Sequence, residues 1–305
     1  MTNRYEYGGV IWIDVESPGE DEIDAIAQEF ELGSFLSHEL LSPTAKPRTD
    51  LYPEFAYTVL HFPALRSTRG ASTTQEVDIV MGKTFIVTVH YDAIPAIYDF
   101  ARSFEAAMLL QHPTNGKFHT GHVLLELMER LYQSVDNEIE SLEDNASVIE
   151  QEIYSGHERE MVISISSASR ELLNQKRALA THKEVLESLE QVGISLFGES
   201  LGNYFRAVSA FHFRVYNRVL ELADTITELR ETNDSLLSTR QNEVMKNLTM
   251  MAFITFPLTL IATLLALPAT GKPVFGTPYD FWIIVGGMVF LGLCFVLYFK
   301  HRHWL

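Results

Sequence analysis

Leu248–Ala269 reads LTMMAFITFPLTLIATLLALPA and contains no charged residue. A helix rising 1.5 Å per residue carries such a run across about 33 Å, enough for a hydrocarbon core of ~30 Å. A second uncharged run, FWIIVGGMVFLGLCFVLYF, occupies Phe281–Phe299. Phe281 and Trp282 stand at one end of it, and Tyr298, Phe299 and Trp304 at the other, which is the aromatic bracketing that membrane interfaces favour. Core helices of soluble proteins rarely lack every charge over this length, so residues 248–269 and 281–299 predict two transmembrane helices.

Lysine and arginine set the orientation. Arg240 and Lys246 precede the first run, and Lys300 and Arg302 follow the second, whereas the connection TGKPVFGTPYD over 270–280 holds only Lys272. The positive-inside rule then puts both termini in the cytoplasm, with 270–280 as an outer loop of turn-forming glycines and prolines and 300–305 as a basic cytoplasmic tail. The expected location is the plasma membrane, or the inner membrane of a Gram-negative cell. The opening residues MTNRYEYGGV carry no signal-peptide core, so the C-terminal runs are expected to direct insertion. The single cysteine, Cys294, lies in the second run, and one cysteine allows no intrachain disulfide.

Everything upstream of Leu248 is therefore expected to be cytoplasmic. The chain of 305 residues carries a formal charge of −17. That excess argues against nucleic acid, whose phosphates require basic surfaces, and suits a protein that attracts cations or simply stays soluble. Over 1–118 strand and helix signals alternate. Ile11–Val15, Phe55–Phe62, Val77–Val80 and Thr84–His90 are β-rich, Met81-Gly82-Lys83 reads as a turn, and Ser17 with Glu20 has capping-box spacing before EDEIDAIAQEF. From 119 to 198 the period becomes helical. Leu124, Leu127, Leu131, Val135, Ile139, Leu142, Ala146 and Ile149 form one apolar stripe, while Glu126, Glu129, Asp136, Glu138, Glu140, Glu143 and Asp144 form an acidic face best read as solvated. A second helix over Glu158–Gln191, joined through Tyr154-Ser155-Gly156, makes an antiparallel hairpin.

The third helical stretch has no glycine between Gly202 and Gly271, and its only prolines are Pro257 and Pro268. It predicts one helix from Tyr204 to Leu267 of about 95 Å, with 199–247 as a cytoplasmic stalk running into the membrane. A helix this long requires partners. Two spans enclose no path for an ion, so a pore would need several copies around an axis.

Three clusters of residues carry a family resemblance. Asn242-Glu243-Val244-Met245-Lys246, Leu248-Thr249 and Pro257-Leu258-Thr259-Leu260-Ile261-Ala262 resemble the pore helix of the CorA family of magnesium transporters. The tail Tyr298–Leu305 resembles that family's basic, tryptophan-containing C-terminus. Val215-Tyr216, Leu222–Thr225, Val77-Asp78, Gly82-Lys83 and Val87–His90 resemble its stalk and cytoplasmic domain. The resemblance implies an α+β cytoplasmic domain, a long stalk helix and two C-terminal transmembrane helices, assembled as a funnel-shaped homopentamer. It implies a channel for Mg2+, Co2+, Ni2+ or Zn2+, with the cation as cargo, no resident cofactor and no enzymatic activity. The alternative is a non-transporting membrane scaffold or regulator of the same build.

Two departures accompany the match. The family signature Gly-Met-Asn falls on Ala266, Leu267 and Pro268, which bring no side-chain oxygen; its ZntB-type zinc-transporting relatives keep the Gly and the Asn. Hydrated magnesium is held through oxygen acceptors, so the outer mouth should not capture it in the family's way. The family's magnesium-sensing aspartate falls on Arg214, where an extra cation opposes metal binding. Deeper along the helix, Asn242, Met245, Thr249, Ala252, Phe256, Thr259 and Thr263 share one stripe that the resemblance turns toward the pore. Thr259 and Thr263 would present hydroxyl rings and Phe256 an apolar gate; alternatively the threonines bond back to their own helix and Phe256 packs.

Other constellations point elsewhere. His119 and His122 lie three apart at a helix start, but two ligands are too few for a metal site. His301 and His303 alternate with Lys300 and Arg302 and fit interfacial anchoring. There is no phosphate loop, catalytic triad or zinc-protease motif.

Overall fold

The computed structural model describes residues 1–64, 74–109, 118–199, 202–267 and 279–302. Met1–Arg230 and Glu231–Leu305 are two compact units. In the first, strands β1 (Thr2–Tyr7), β2 (Val10–Glu16), β3 (Arg48–Leu51), β4 (Phe55–Pro63), β5 (Thr74–Gly82) and β6 (Phe85–His90) form one sheet in the order β1-β2-β6-β5-β4-β3. Among the described residues only β2 and β6 pair in parallel, as expected when the helices α1 (Glu20–Glu29) and α2 (Ser34–Glu39) intervene between β2 and the rest of the sheet.

Strand alternation sorts the sheet's two faces. Ile13, Val15, Tyr57, Val59, Val80, Val87 and Val89 pack beneath Ile23, Ile26, Leu36 and Leu40 of α1 and α2. On the opposite face Trp12 Nε1 donates to Thr88 Oγ1 at 3.1 Å, and that hydroxyl donates to Asp14 Oδ1 at 2.6 Å. His90 closes the chain, its Nε2 facing Asp14 and its Nδ1 lying 2.7 Å from the Asp92 carbonyl. Burial opposes the charge on His90, but the hydrogen bond and charge of Asp14 outweigh it and raise its pKa. Both ring nitrogens thus face acceptors, which an imidazolium satisfies.

Helix α3 (Pro95–Leu109) covers Trp12 through Phe100 and Phe104. Helices α4 (Thr120–Ser155) and α5 (Glu158–Ala180) form the expected hairpin, with Gly156 closing α4 at φ 100°, a left-handed conformation that glycine adopts without strain. Helix α6 (His182–Phe197) then leads toward α7 (Gly202–Ala266), the 65-residue helix that links the two units, and α8 (Asp280–His301) completes the second.

Several local expectations need correction. The helix predicted over Glu158–Gln191 is two helices, because the chain turns at Thr181 and drives His182 inward to Tyr132 Oη at 2.9 Å and the His61 carbonyl at 3.0 Å. The α1 cap is Gly19 with Glu22, whose carboxylate accepts the Gly19 N–H at 3.4 Å, rather than Ser17 with Glu20. Ser17 instead has φ 50° and its N–H donates to the His90 carbonyl at 2.8 Å, so the chain is still bound to β6 there. The strand β5 runs through Gly82, which moves the predicted turn toward Lys83.

Candidate ion-conducting segment

The second unit contains the residues singled out for a pore. Helix α7 runs without interruption from the stalk through the first apolar run, and α8 covers the second. Both are long and apolar enough to cross a membrane, and almost none of their apolar surface is buried within the chain. Such surface needs lipid or other copies as its neighbour. Gly292 of α8 faces α7, where a Cβ would make an ordinary contact with Leu258 Cδ1 at 3.7 Å.

At 100° per residue, Asn242, Met245, Thr249, Ala252, Phe256, Thr259 and Thr263 fall within about 100° of helix arc. All seven lie in α7. Met245 and Phe256 are 61% and 72% exposed, so the stripe is not filled by this chain's own side chains. Ala266 and Leu267 follow at the helix end, and Pro268 lies outside the described residues.

The threonines resolve the two readings of their hydroxyls in an informative way. Thr249 Oγ1 donates to the Met245 carbonyl at 2.7 Å, Thr259 to Thr255 at 2.8 Å and Thr263 to Leu260 at 2.9 Å. A hydroxyl has one proton and two lone pairs. Its proton is committed to the helix, so each oxygen offers only acceptor capacity to whatever approaches the stripe. Back-bonding and the presentation of oxygen acceptors are compatible. Pro257 sits inside α7 and provides no N–H, leaving the Phe253 carbonyl without its usual helical donor.

The stalk part of α7 is fastened by side-chain contacts to α4 and α5. Arg218 donates to Asp136 and, at 2.7 Å, to Glu143, so part of the acidic face of α4 is engaged rather than solvated. Asp136 and Glu143 are two turns apart on α4, and that heptad spacing was the available signal. His212 Nε2 lies 2.9 Å from the Leu179 carbonyl, and Tyr204 Oη lies 2.8 Å from His122 Nε2. Burial depresses His182 to about 3 and also lowers His212. Arg214 is exposed and stands over the Phe211 ring at 5.8 Å. Among the described residues no group of three or more His, Cys, Asp or Glu could hold a metal, and His119 with His122 remains a pair.

The family of CorA-like Mg2+ transporter proteins matches residues 7–301. The chain belongs to that family. The cobalt/magnesium transport protein CorA of Thermotoga maritima is 22% identical over 292 residues, covering 93% of this chain and 80% of the relative. The complete structure of the CorA magnesium transporter from Methanocaldococcus jannaschii superposes with a TM-score of 0.83 at 19% identity, covering 99% of this chain and 93% of that one. The full-length CmaX protein superposes with a TM-score of 0.72 at 18% identity, over 97% and 88% of the two chains. These likenesses establish the fold: a soluble α+β domain, a long helix and two C-terminal apolar helices. As a CorA-like membrane protein, the chain uses α8 and the C-terminal part of α7 as its candidate spans.

Proposed function

We propose that this chain assembles as a homopentameric channel for divalent metal cations, with both termini in the cytoplasm and the stripe from Asn242 to Thr263 facing the pore. The observation that carries the reading is the orientation of the threonine hydroxyls. Thr249, Thr259 and Thr263 each commit their proton to an α7 carbonyl. Copies arranged around an axis would present rings of oxygen acceptors, which attract a cation and the water protons of its shell but give nothing to an anion. The C-terminus of α7 adds to this, since a helix carries a partial negative charge at that end.

Thr259 and Thr263 form the filter in this reading, in place of the family signature at Ala266, Leu267 and Pro268. Phe256 forms an apolar ring further in, where dewetting can gate flow. A relative that is a cobalt/magnesium transport protein supports a divalent cargo, chosen from Mg2+, Co2+, Ni2+ and Zn2+. A divalent ion moving inward gains about 5 kcal/mol per 100 mV from the membrane potential, so no other energy source is required. Arg214 places a fixed cation where the family senses magnesium, and closure by cytoplasmic Mg2+ at that position is lost.

Relative influx of the four ions through Thr259→Val, Thr263→Val and the corresponding serine variants tests the assignment. Valine should reduce flux and flatten selectivity, and serine should preserve both. Equal selectivity in the wild type and both valine variants would remove the threonines from the filter.

A further inference from the structure

We propose that Glu76 and Asp78 share one proton at neutral pH and that this pair latches the segment 43–47, releasing it when the proton leaves as pH rises. The two side chains lie two residues apart on one face of β5, the face that α1 and α2 cover. Asp78 is fully buried, and the Glu76 side chain is 6% exposed. Tyr91 Oη donates to Asp78 Oδ2 at 3.1 Å, whereas Asp78 Oδ1 is buried with no hydrogen-bond partner. One phenol is too little to hold a buried carboxylate next to a second one. A proton between the two carboxyls supplies the missing bond, with Asp78 donating to Glu76.

The charged groups around the pair are engaged elsewhere. His61 of β4 lies 3.2 Å from Glu76 Oε2 and serves that carboxylate. Arg48 of β3 is taken by Glu39 of α2 at 2.7 Å and by Asp50 at 2.6 Å. Tyr57 of β4 and Tyr91 are phenols whose pKa values burial raises, so both stay protonated. Burial, then the charge of Glu76, holds Asp78 well above the usual carboxylate range. Burial also opposes the charge on Glu76, but hydrogen bonds from His61 and Thr44 outweigh it and hold Glu76 below that range. Two neighbouring carboxyls pushed apart in this way carry one proton between them over the whole interval.

Thr44 connects the proton to the chain's conformation. Its N–H donates to Glu76 Oε1 at 2.8 Å and its hydroxyl donates to the same oxygen at 2.9 Å. Pro43 and Pro47 have no N–H to offer, and among the described residues Thr44 makes the hydrogen bonds that hold segment 43–47. Asp78 cannot retreat from Glu76, because its strand pairs with Val59 on one side and Val89 on the other. Once the proton leaves, two adjacent charges repel, and the longer Glu76 side chain yields and gives up Thr44. A pocket of about 700 Å3, walled by Lys46, Pro47 and His61 among others, lies on the side to which it turns. The same opening admits the proton, since the His61 side chain is 18% exposed. A carboxyl whose pKa is raised by folding stabilises the fold in acid, and that stability is lost as pH rises through the folded value. With the termini placed as proposed above, the pH that it reads is the cytoplasm's.

The test follows the full-length protein in nanodiscs by infrared spectroscopy and by amide hydrogen exchange as pH is raised from neutral, with exchange expressed relative to the intrinsic rate at each pH. The expected result is a protonated-carboxyl C=O band at neutral pH that Asp78→Asn removes. Its loss on alkalinisation should track a fall of about tenfold in the protection of the 43–47 amides, the scale of one hydrogen bond to a charged group. Asp78→Asn keeps the shape of the neutral acid, so its segment should stay protected throughout. Glu76→Gln lacks the charge that Thr44 bonds, and its segment should be less protected than the wild type's at neutral pH. If Asp78→Asn does not fold, the wild type alone decides, because band and protection must titrate with one midpoint. Absence of a protonated carboxyl at neutral pH would overturn the shared proton. A band that titrates while protection holds constant would overturn the latch. Neither readout involves ion flux, so either failure leaves the channel reading standing.

Discussion

Arg218 on α7 donates to Glu143 on α4 at 2.7 Å, and the same guanidinium reaches Asp136 two turns away. One arginine thereby fastens the helix that continues into the membrane to the acidic hairpin. The planar fork of arginine suits two carboxylates at once, which lysine cannot match. Its pKa is raised, first by the hydrogen bond to Glu143.

Arg218→Ala should therefore loosen the first unit, Met1–Arg230. The partners are partly exposed, at 30% for Arg218, 24% for Asp136 and 42% for Glu143, so solvent screening limits the loss to about 1–2 kcal/mol. Thermal unfolding should fall by about 3–6 °C. Arg218→Lys should recover less than half of it. An unchanged midpoint for Arg218→Ala would show the clamp to be energetically neutral.

Acid sensitivity should be traceable to His182. Burial holds it neutral in the folded protein, with its pKa depressed to about 3. In the unfolded chain it takes up a proton below about pH 6.5. The unfolded state then binds more protons, and stability falls as pH drops, by about 2 kcal/mol at pH 5. His182→Gln, which keeps a donor and an acceptor for His61 and Tyr132, should lose this slope. Asp78, raised by burial and by Glu76, acts with the opposite sign in both proteins and cancels in the comparison. Parallel pH profiles of the wild type and the variant would contradict the assignment.

Periodicity disclosed much of this architecture. The apolar stripe from Leu124 to Ile149, the Gly156 turn and the proline spacing of α7 fix long helices through local pattern alone. His182 was not legible because its role depends on Tyr132 and the His61 carbonyl, which only the tertiary fold brings together. The strand β1 was missed because its residues alternate between half-buried and exposed, giving a weak signal until it pairs with β2. The stripe from Asn242 to Thr263 was readable as a helical arc, but the direction of the threonine hydroxyls was not, since nothing in a sequence reports where a hydroxyl proton goes.

Phe256 should act as a gate. Phe256→Ala widens an apolar ring and favours its wetting, so resting influx should rise several-fold, while Phe256→Trp should reduce it. Both are read from initial rates in liposomes. If Phe256→Ala left the resting rate unchanged, the gate would have to lie elsewhere.

Magnesium on the cytoplasmic face should leave wild-type flux of Co2+ or Ni2+ unchanged, because Arg214 opposes a metal at that position. Arg214→Asp should introduce inhibition by millimolar Mg2+. Inhibition of the wild type at the same concentration would locate a sensor at other residues.

The central claim is that the stripe ending at Thr263 conducts cations. The direct measurement is influx of Mg2+, Co2+, Ni2+ and Zn2+, each tested separately with a trapped indicator, into proteoliposomes holding the full-length protein beside empty liposomes. The account predicts flux of at least one of these ions, reduced by Thr259→Val and Thr263→Val. A folded pentamer that passes none of the four would contradict it.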